Sequence, residues 1–467
     1  MSEELEIDLS EWELVSTKKM FSYSLGYSIS GSFGTAILFY YFEVEIGLPV
    51  ALLGIAFIIF AIWNMVNDPL AGYLTDRPFK WTRKWGMRFP WILIGIIPAI
   101  IFRYFIWFSP NADPSNPWPV FWYFIIMTCL LDTFYSIFTI HLTAGYTNHF
   151  RSDAERKRSS AINNIMSGFI NLFIGFIGPL VIVYGKKETF IFAASILLFI
   201  RFILLVFLIP GIRESDELKE RFLHGFENQG NFEILSYWKT MKRAFKRKNF
   251  TSTFFVYLML SLAVTLFMAS GIYFYKDVLG VPYYYQVYAG LSGFLGFILF
   301  IPFWANKINK YGAHNVMKAS LIIVALALLP ILWITTLEEA IFFNFIGGIG
   351  IGAFTLSLFP VYADVYDECT ISDGKHQEAM YEGIRTFFFR FALIFQAVIF
   401  TVVHLLTDYN PDPQAKQTPL AIWGIRIHMG LIPSILCLIA FFILLKWYDL
   451  EGEKKLAIKK KLRELGL

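Results

Sequence analysis

A carboxylate and two carboxamides share one face of a long apolar segment near the start of the chain. Asn64, Asn67 and Asp68 are three and four residues apart, so in a helix their side chains stack one turn apart. Asp68 lies about two helical turns before the charges that begin at Asp76. An ionisable group at that depth in a bilayer is costly unless it is paired or hydrated. The pattern therefore predicts that Asp68 binds a cation, with structural pairing to a neighbouring helix as the alternative.

The chemistry around Asp68 suits either a proton or sodium. The amide oxygens of Asn64 and Asn67 and the hydroxyl of Ser136 would supply some of the oxygen ligands that a hard cation prefers. A lone buried carboxylate is equally suited to a proton, because desolvation favours its neutral form. We expect no enzyme and no cofactor beyond this coupling ion, since the sequence has no GxxxxGK phosphate loop, nucleophile elbow or metal-spaced His/Cys cluster.

The composition predicts an all-α membrane protein. Of 467 residues, 56% are hydrophobic and only 16% are charged, and the net charge of +4 gives no indication of nucleic-acid binding. Apolar runs long enough to cross a bilayer recur along the chain and predict twelve transmembrane helices. Their expected limits are 20–46, 50–75, 90–109, 118–147, 160–185, 188–211, 250–275, 282–305, 317–336, 340–364, 381–407 and 420–446.

The spans divide into two groups of six, which predicts two pseudo-symmetric bundles. The expected organisation is a segment 1–19, a bundle 20–211, a linker 212–249, a second bundle 250–446 and a tail 447–467. Lysine and arginine concentrate in the linker, the tail and the loops on the same side. The positive-inside rule therefore predicts a multi-pass cell-membrane protein with both termini in the cytoplasm.

Other polar residues fall at mid-depth in the predicted spans. Asp132 and Arg390 should face protein or a hydrated cavity, since lipid would not accommodate either charge. One hypothesis pairs them across the two bundles, where they would hold a gate or bind a zwitterion, and the alternative is a fixed ion pair within one bundle. Tyr27 and Ser28 belong to a polar stripe in the first span and are further candidates for substrate contact.

The stretch from Asn67 to Trp91 resembles a known family. Its N-D-P-x-x-G-x-x-x-D-R segment, followed by G-x-R-x-P-W, is similar to the loop after the second span of the glycoside–pentoside–hexuronide:cation symporters. These form the melibiose permease branch of the major facilitator superfamily. The resemblance implies two six-helix bundles that rock around a central substrate cavity, and a cation held near Asp68.

Further motifs carry the resemblance into the cytoplasmic loops of both halves. Arg156 belongs to a segment similar to the family's acidic–arginine loop, and DVYDECTISDGKHQE resembles its D-x-x-D-x-E…G-x-x-x-E pattern. The resemblance implies a cytoplasmic gate of salt bridges made by Asp76, Arg77, Arg88, Arg156, Asp364, Asp367 and Glu378. Arg390 stands where the family usually has a lysine.

The chain departs from the family at the sugar-binding positions. Asn64 replaces one of two carboxylates in the second span, and Thr139, Thr143 and Asn164 stand near positions of the family's aspartate, tryptophan and arginine. The leading prediction is a monomeric, cation-coupled symporter of a sugar, glycoside or related small organic solute. One alternative is a carrier of lysophospholipids or other amphiphiles on the same fold, and another is a non-transporting receptor or scaffold.

Overall fold

The computed structural model describes residues 15–29, 37–75, 79–150, 153–220, 241–373 and 378–465. Across these residues the chain is helical, and the one β-bridge, between Asp113 and Asn116, is isolated. The predicted all-α class is therefore confirmed. Asp76 and Arg77 lie outside the described residues, as does the middle of the first predicted span, 30–36.

The first bundle is built from long helices that pack against one another. Helix α1 packs against α7 and α8, while α6 packs against both α3 and α5. Its helices are α1 (Thr17–Ile29), α2 (Leu38–Tyr40), α3 (Val50–Thr75), α4 (Thr82–Trp85), α5 (Phe89–Phe105), α6 (Trp118–His149), α7 (Asp153–Val181) and α8 (Lys187–Ile212).

The second bundle repeats this arrangement with different breaks in its helices. Helix α9 packs against α14 and α16, and α13 packs against α10 and α12. Its helices, including a tail helix α17, are α9 (Lys248–Tyr273), α10 (Gln286–Leu299), α11 (Ile301–Tyr311), α12 (Ala313–Leu328), α13 (Leu337–Asp373), α14 (Glu378–Leu406), α15 (Pro419–Arg426), α16 (Ile432–Trp447) and α17 (Gly452–Leu465).

Most of the predicted spans are present as long apolar helices. Within the described ranges, 10 helices are long and apolar enough to cross a membrane, and the pair α10–α11, bent by 42°, adds an eleventh. Glycine allows α10 and α13 to approach closely, since a Cβ on Gly348 would lie 1.9 Å from the carbonyl oxygen of Gly293. Such small-residue contacts are typical of helix packing in membranes, where lipid supplies no hydrophobic drive.

The two bundles meet along α3 and α14. We call the end of the molecule that holds Thr75, the start of α14 and the tail helix the terminal end, and the other the far end. At the far end the bundles pack tightly: the rings of Phe39 and Phe400 have centroids 5.0 Å apart, and Gly54 lies against the side chain of Thr401. These contacts close the far end of the space between the bundles.

Three helices change to π-helical turns at the far end. The turns are Tyr41–Glu45 after α2, Phe274–Val278 after α9 and Ile427–Leu431 after α15. Each π-helical turn accommodates one more residue than an α-helical turn, and such turns are frequent at functional sites.

Candidate ion and substrate site

A cluster of polar side chains joins α3 to α6 inside the first bundle. The side-chain amide of Asn67 donates from Nδ2 to Asp132 Oδ2 at 3.1 Å and to Ser136 Oγ at 3.0 Å. Asn64 Nδ2 donates to the other oxygen of Asp132. All four side chains are buried. Asn64 and Asn67, three residues apart on one face of α3, thus both reach Asp132 of α6.

Asp68 connects this cluster to the second bundle. Its Oδ1 accepts a hydrogen bond from the Ser136 hydroxyl, and its Oδ2 lies 2.5 Å from Nη2 of Arg390 on α14. The Asp68 side chain keeps 33% of its surface exposed and that of Arg390 keeps 18%. Pairing with a neighbouring helix, the alternative considered for Asp68, is therefore present, but the carboxylate is not sealed from solvent.

The charges in this cluster do not balance. Asp68 and Asp132 contribute two negative charges when both are ionised, whereas Arg390 contributes one positive charge. An uncompensated charge is expensive in a medium of low dielectric constant. The cluster is therefore neutral when it binds one further cation, either a proton on a carboxylate or a metal ion among the oxygens.

Two expectations about these residues were wrong. Asp68 is not a lone carboxylate, because α6 brings Asp132 into the same hydrogen-bonded cluster. The ion pair between the bundles joins Arg390 to Asp68 and not to Asp132, whose oxygens accept from the two asparagines. Asp132, predicted as a substrate residue, thus lies among the predicted cation ligands. The sequence places each charge on a helix but does not define how the helices are rotated against each other.

One feature of the cluster suits a metal ion. The buried oxygen Asn64 Oδ1 has no hydrogen-bond partner in the protein, although its amide group contacts Asp132. Within the described ranges, no group of three His, Cys, Asp or Glu side chains is arranged to hold a metal. Sodium would therefore depend on the two carboxylates together with amide and hydroxyl oxygens, which is the type of ligand that a hard cation accepts.

The predicted substrate residues form a second, more loosely connected group. Tyr27 on α1 hydrogen-bonds Thr143 on α6, and the Ser28 hydroxyl lies 3.4 Å from that of Ser167 on α7. Thr139 donates its hydroxyl proton to main-chain oxygens of its own helix. Asn164 is exposed on α7. Three helices of the first bundle thus contribute hydroxyl groups to this polar face.

The described members of the predicted gate contact their own bundles. Arg88 Nη1 lies 3.2 Å from His141 Nδ1, and Arg156 Nε donates to the Phe150 carbonyl at 2.9 Å. Asp364 pairs with Lys455 of the tail helix, and Asp367 lies close to the same lysine. Glu378 begins α14, but its side chain is outside the described set.

A buried polar chain at the far end was not identified from the sequence. It consists of Glu43, His404, His428 and Ser270, each 2% exposed or less. The signal was available, since Glu43 and both histidines interrupt apolar runs, and ionisable residues within such runs indicate function by default.

The fold and this arrangement of charges define a class of protein. A membrane chain of two helical bundles, with an ion pair between them beside partly exposed polar groups, has the architecture of a major facilitator transporter. The solved structure of a nucleoside transporter, NupG, superposes with a TM-score of 0.57 at 16% identity, covering 92% of this chain and 98% of that one. At this identity the match concerns the fold alone.

The family follows from the sequence comparison. A family model described as MFS/sugar transport protein matches residues 22–452, so the chain belongs to this family and is a multi-pass membrane protein.

Individual relatives are more distant. An uncharacterized symporter, sll1374, from Synechocystis is 30% identical over 180 residues, which are 34% of this chain and 32% of that protein. The sodium-dependent lysophosphatidylcholine symporter 1-A of Danio rerio is 23% identical over 71% of this chain and 66% of its own. The uncharacterized symporter YnaJ of Bacillus subtilis is 22% identical, with 94% and 91% covered. The first two matches thus span less than two thirds of the relatives' lengths.

Proposed function

We propose that this protein is a secondary active transporter that couples a cation, proton or sodium, to the symport of a small organic solute. The observation that carries the proposal is the Asp68–Arg390 pair between the bundles, with Asp132 leaving one negative charge uncompensated. Two further findings support the proposal: relatives of the chain are named as symporters, and the chain belongs to the MFS/sugar transport protein family. The protein has no catalytic role in this proposal and needs no cofactor.

The coupling mechanism is competition for Asp68. Without the cation, Arg390 occupies Oδ2 of Asp68 and neutralises half of the cluster. A cation that binds between Asp68 and Asp132 weakens this ion pair, because the carboxylate now has a second positive partner. The Arg390 guanidinium is then available to donate hydrogen bonds to the substrate. Cation binding thereby prepares the substrate site, so the bound cation increases the affinity for the substrate, and the bound substrate increases the affinity for the cation.

The substrate would lie between Arg390 and the hydroxyl groups of the first bundle. Tyr27, Ser28 and Thr143, with Thr139 and Asn164 nearby, offer the donors and acceptors that a sugar or glycoside needs to replace its hydration. The alternative cargo is a lysophospholipid or another amphiphile. Arg390, as a fixed cation at mid-depth, favours that alternative because it suits a phosphate group, and a relative is named as a lysophosphatidylcholine symporter.

Alternating access would require the terminal end to close when the far end opens. Asp364 and Asp367, with Arg88 and Arg156 on the other bundle, would form or release salt bridges in that movement, together with Asp76, Arg77 and Glu378. The excess of lysine and arginine in the linker and tail supports a cytoplasmic location for this end, in a protein of the cell membrane. We propose a monomer as the transporting unit.

Uptake into proteoliposomes tests this proposal. The panel should contain sugars, glycosides and lysolipids, each with an imposed sodium or proton gradient. Asp68→Asn should abolish gradient-driven accumulation and retain downhill exchange, whereas Asp113→Asn, in an exposed loop at the far end, should behave as wild type. Full accumulation by Asp68→Asn would contradict the role of Asp68. If no substrate is taken up by the wild type, a receptor or scaffold becomes the better interpretation.

A further inference from the structure

The far end contains a continuous hydrogen-bonded chain that crosses from one bundle to the other. Glu43 of the first bundle accepts from the Tyr273 hydroxyl at 2.5 Å and lies 2.8 Å from His404 Nδ1. His404 Nε2 lies 3.3 Å from His428 Nε2, and His428 Nδ1 lies 2.6 Å from Ser270 Oγ. Glu43 is thus attached to α9, α14 and the π-helical turn after α15 through buried groups.

The number of protons in this chain follows from its hydrogen bonds. Ser270 donates its single hydroxyl proton to the Leu266 carbonyl at 2.6 Å, because a carbonyl oxygen only accepts. His428 must then donate from Nδ1 to Ser270, which leaves the Nε2 of a neutral His428 as an acceptor. His404 consequently donates from Nε2 to His428 and from Nδ1 to Glu43. A histidine that donates from both nitrogens carries a positive charge.

The hydrogen-bonded chain therefore carries one more proton than it would if Glu43 were ionised and both histidines were neutral. Moving that proton along the hydrogen bond from His404 to Glu43 changes its position and not the count. To lose it, the Ser270 hydroxyl must rotate from Leu266 towards His428, or one hydrogen bond of the chain must break. In either case Glu43 loses the positive charge beside it, so the proton content is linked to the contact between the bundles.

The surroundings make this link strong. Neighbouring ionisable groups are already paired among themselves: Asp277 accepts from Lys276 at 2.7 Å and from Tyr409 at 2.9 Å, and Glu45 accepts from the main-chain nitrogen of Gly185 at 2.9 Å. Tyr40 packs on Tyr273, and the ring of Tyr409 stacks on that of His404 with centroids 4.4 Å apart. No other cation among the described contacts of Glu43 substitutes for His404.

We propose that Glu43, His404 and His428 form a proton-binding site, separate from Asp68, whose bound proton holds the far end closed. Release of the proton leaves Glu43 as an uncompensated buried carboxylate, which favours separation of the bundles and hydration of the site. The three π-helical turns that carry or adjoin Glu43, Tyr273 and His428 are at the positions where the helices would have to adjust. The inference rests on the alternating access proposed above.

Distances across the far end test the proposal. Spin labels at Ser115 and Gln414, exposed in far-end loops of the two bundles, would be read by double electron–electron resonance in lipid nanodiscs. The background replaces Cys129, Cys369 and Cys437 with serine. In the wild type, the ratio of open to closed molecules should rise by up to about tenfold per pH unit where a single proton is linked to opening. The range to cover is about pH 5.5 to about pH 8.5.

Two variants act in opposite directions. Glu43→Gln is neutral and nearly isosteric, so it should stay closed at every pH. His404→Phe removes the positive partner of Glu43 and the connection to His428, so the open fraction should exceed that of the wild type across the range. His314→Gln, which alters a histidine near Glu451 at the terminal end, should keep the wild-type response.

Three results would overturn the proposal: pH-independent distances in the wild type, a wild-type response in Glu43→Gln, or one in His404→Phe. Should His404→Phe fail to fold, Glu43→Gln decides alone. This test can be separated from the test of Asp68. Full accumulation by Asp68→Asn would contradict the coupling role of Asp68 and would leave the far-end distances unchanged.

Discussion

Asp68 and Arg390 are 322 residues apart in the sequence, and their carboxylate and guanidinium groups form an ion pair between the two bundles. Asp68 lies in the half of α3 nearer the terminal end, whereas the packing of Phe39 on Phe400 lies at the far end. The ion pair is therefore positioned where a ligand that competes for Asp68 would alter the contact between α3 and α14.

Removal of Arg390 should strengthen cation binding. In Arg390→Ala both carboxylates lack a positive partner, so we expect the apparent cation affinity to rise by about tenfold, the equivalent of about 1.4 kcal/mol. Sodium or proton titrations followed by calorimetry would measure it, and uptake should be lost. Arg385→Ala is the matched control, since this arginine of the same helix packs over the rings of Tyr257 and Tyr362. Weaker cation binding in Arg390→Ala would show that Arg390 does not compete.

Ser136 should contribute to cation binding through its hydroxyl group. Ser136→Ala removes the hydrogen bond to Asp68 and the acceptor for Asn67. We expect a loss of about fivefold in cation affinity, since one hydrogen bond is worth about 1 kcal/mol. The control is Thr128→Ala on the same helix, whose hydroxyl bonds the Phe124 carbonyl within α6. Equal effects of the two substitutions would assign Ser136 a general packing role.

Glu214 should make stability depend on pH at the terminal end. Burial raises the pKa of Glu214 above its ordinary value, although the N–H groups of Arg88 and Met87 oppose the shift. The folded protein then binds more protons than the unfolded chain between the two pKa values, so this group's contribution makes stability fall as pH rises through that window.

The variant Glu214→Gln should flatten this dependence. Thermal unfolding in detergent across the mildly acidic range would measure it. Asp216→Asn, which alters an exposed carboxylate beside Lys219, should leave the slope close to that of wild type. A wild-type slope in Glu214→Gln would assign the dependence to other groups.

Gly348 should tolerate no side chain. Gly348→Ala places a Cβ 1.9 Å from the Gly293 carbonyl oxygen, so α10 and α13 must separate. We expect a loss of about 1–3 kcal/mol, as is usual when atoms are forced into a packed interface. The adjacent Gly347→Ala should be nearly neutral, because its Cβ would lie 3.7 Å from the Cβ of Ala327. Thermal unfolding midpoints of the pair provide the comparison, and equal midpoints would contradict it.

The helices could be predicted from the sequence because their length is set by the bilayer. The second span was expected at 50–75 and is found at Val50–Thr75, and the sixth was expected at 188–211 and is found at Lys187–Ile212. In both cases charged residues or prolines bound an apolar run of the necessary length. The bend in the eighth span at Phe300 was not expected, since that span was predicted as continuous.

The partners across helices could be predicted only in part. Spacings of three and four residues placed Asn64, Asn67 and Asp68 on adjoining positions of α3, but their contact with Asp132 on α6 was not predicted. Which carboxylate meets Arg390 depends on the rotation of α14 against α3, and local periodicity does not contain that angle. The far-end chain differs: each of its ionisable residues stands out in an apolar run, but the contact between Glu43 and His404, 361 residues apart, is not readable from the sequence.

The π-helical turn at Tyr41–Glu45 shifts the direction of the side chains along the first span. Each residue of an α-helix advances by about 100° around its axis, so one additional residue in a turn rotates everything beyond it by about that angle relative to a regular helix. Over the described residues 38–45, a scan of solvent accessibility should therefore show a break in phase within this turn. Engineered sites chosen by a regular heptad or 3.6-residue wheel would be directed to the wrong face beyond that point.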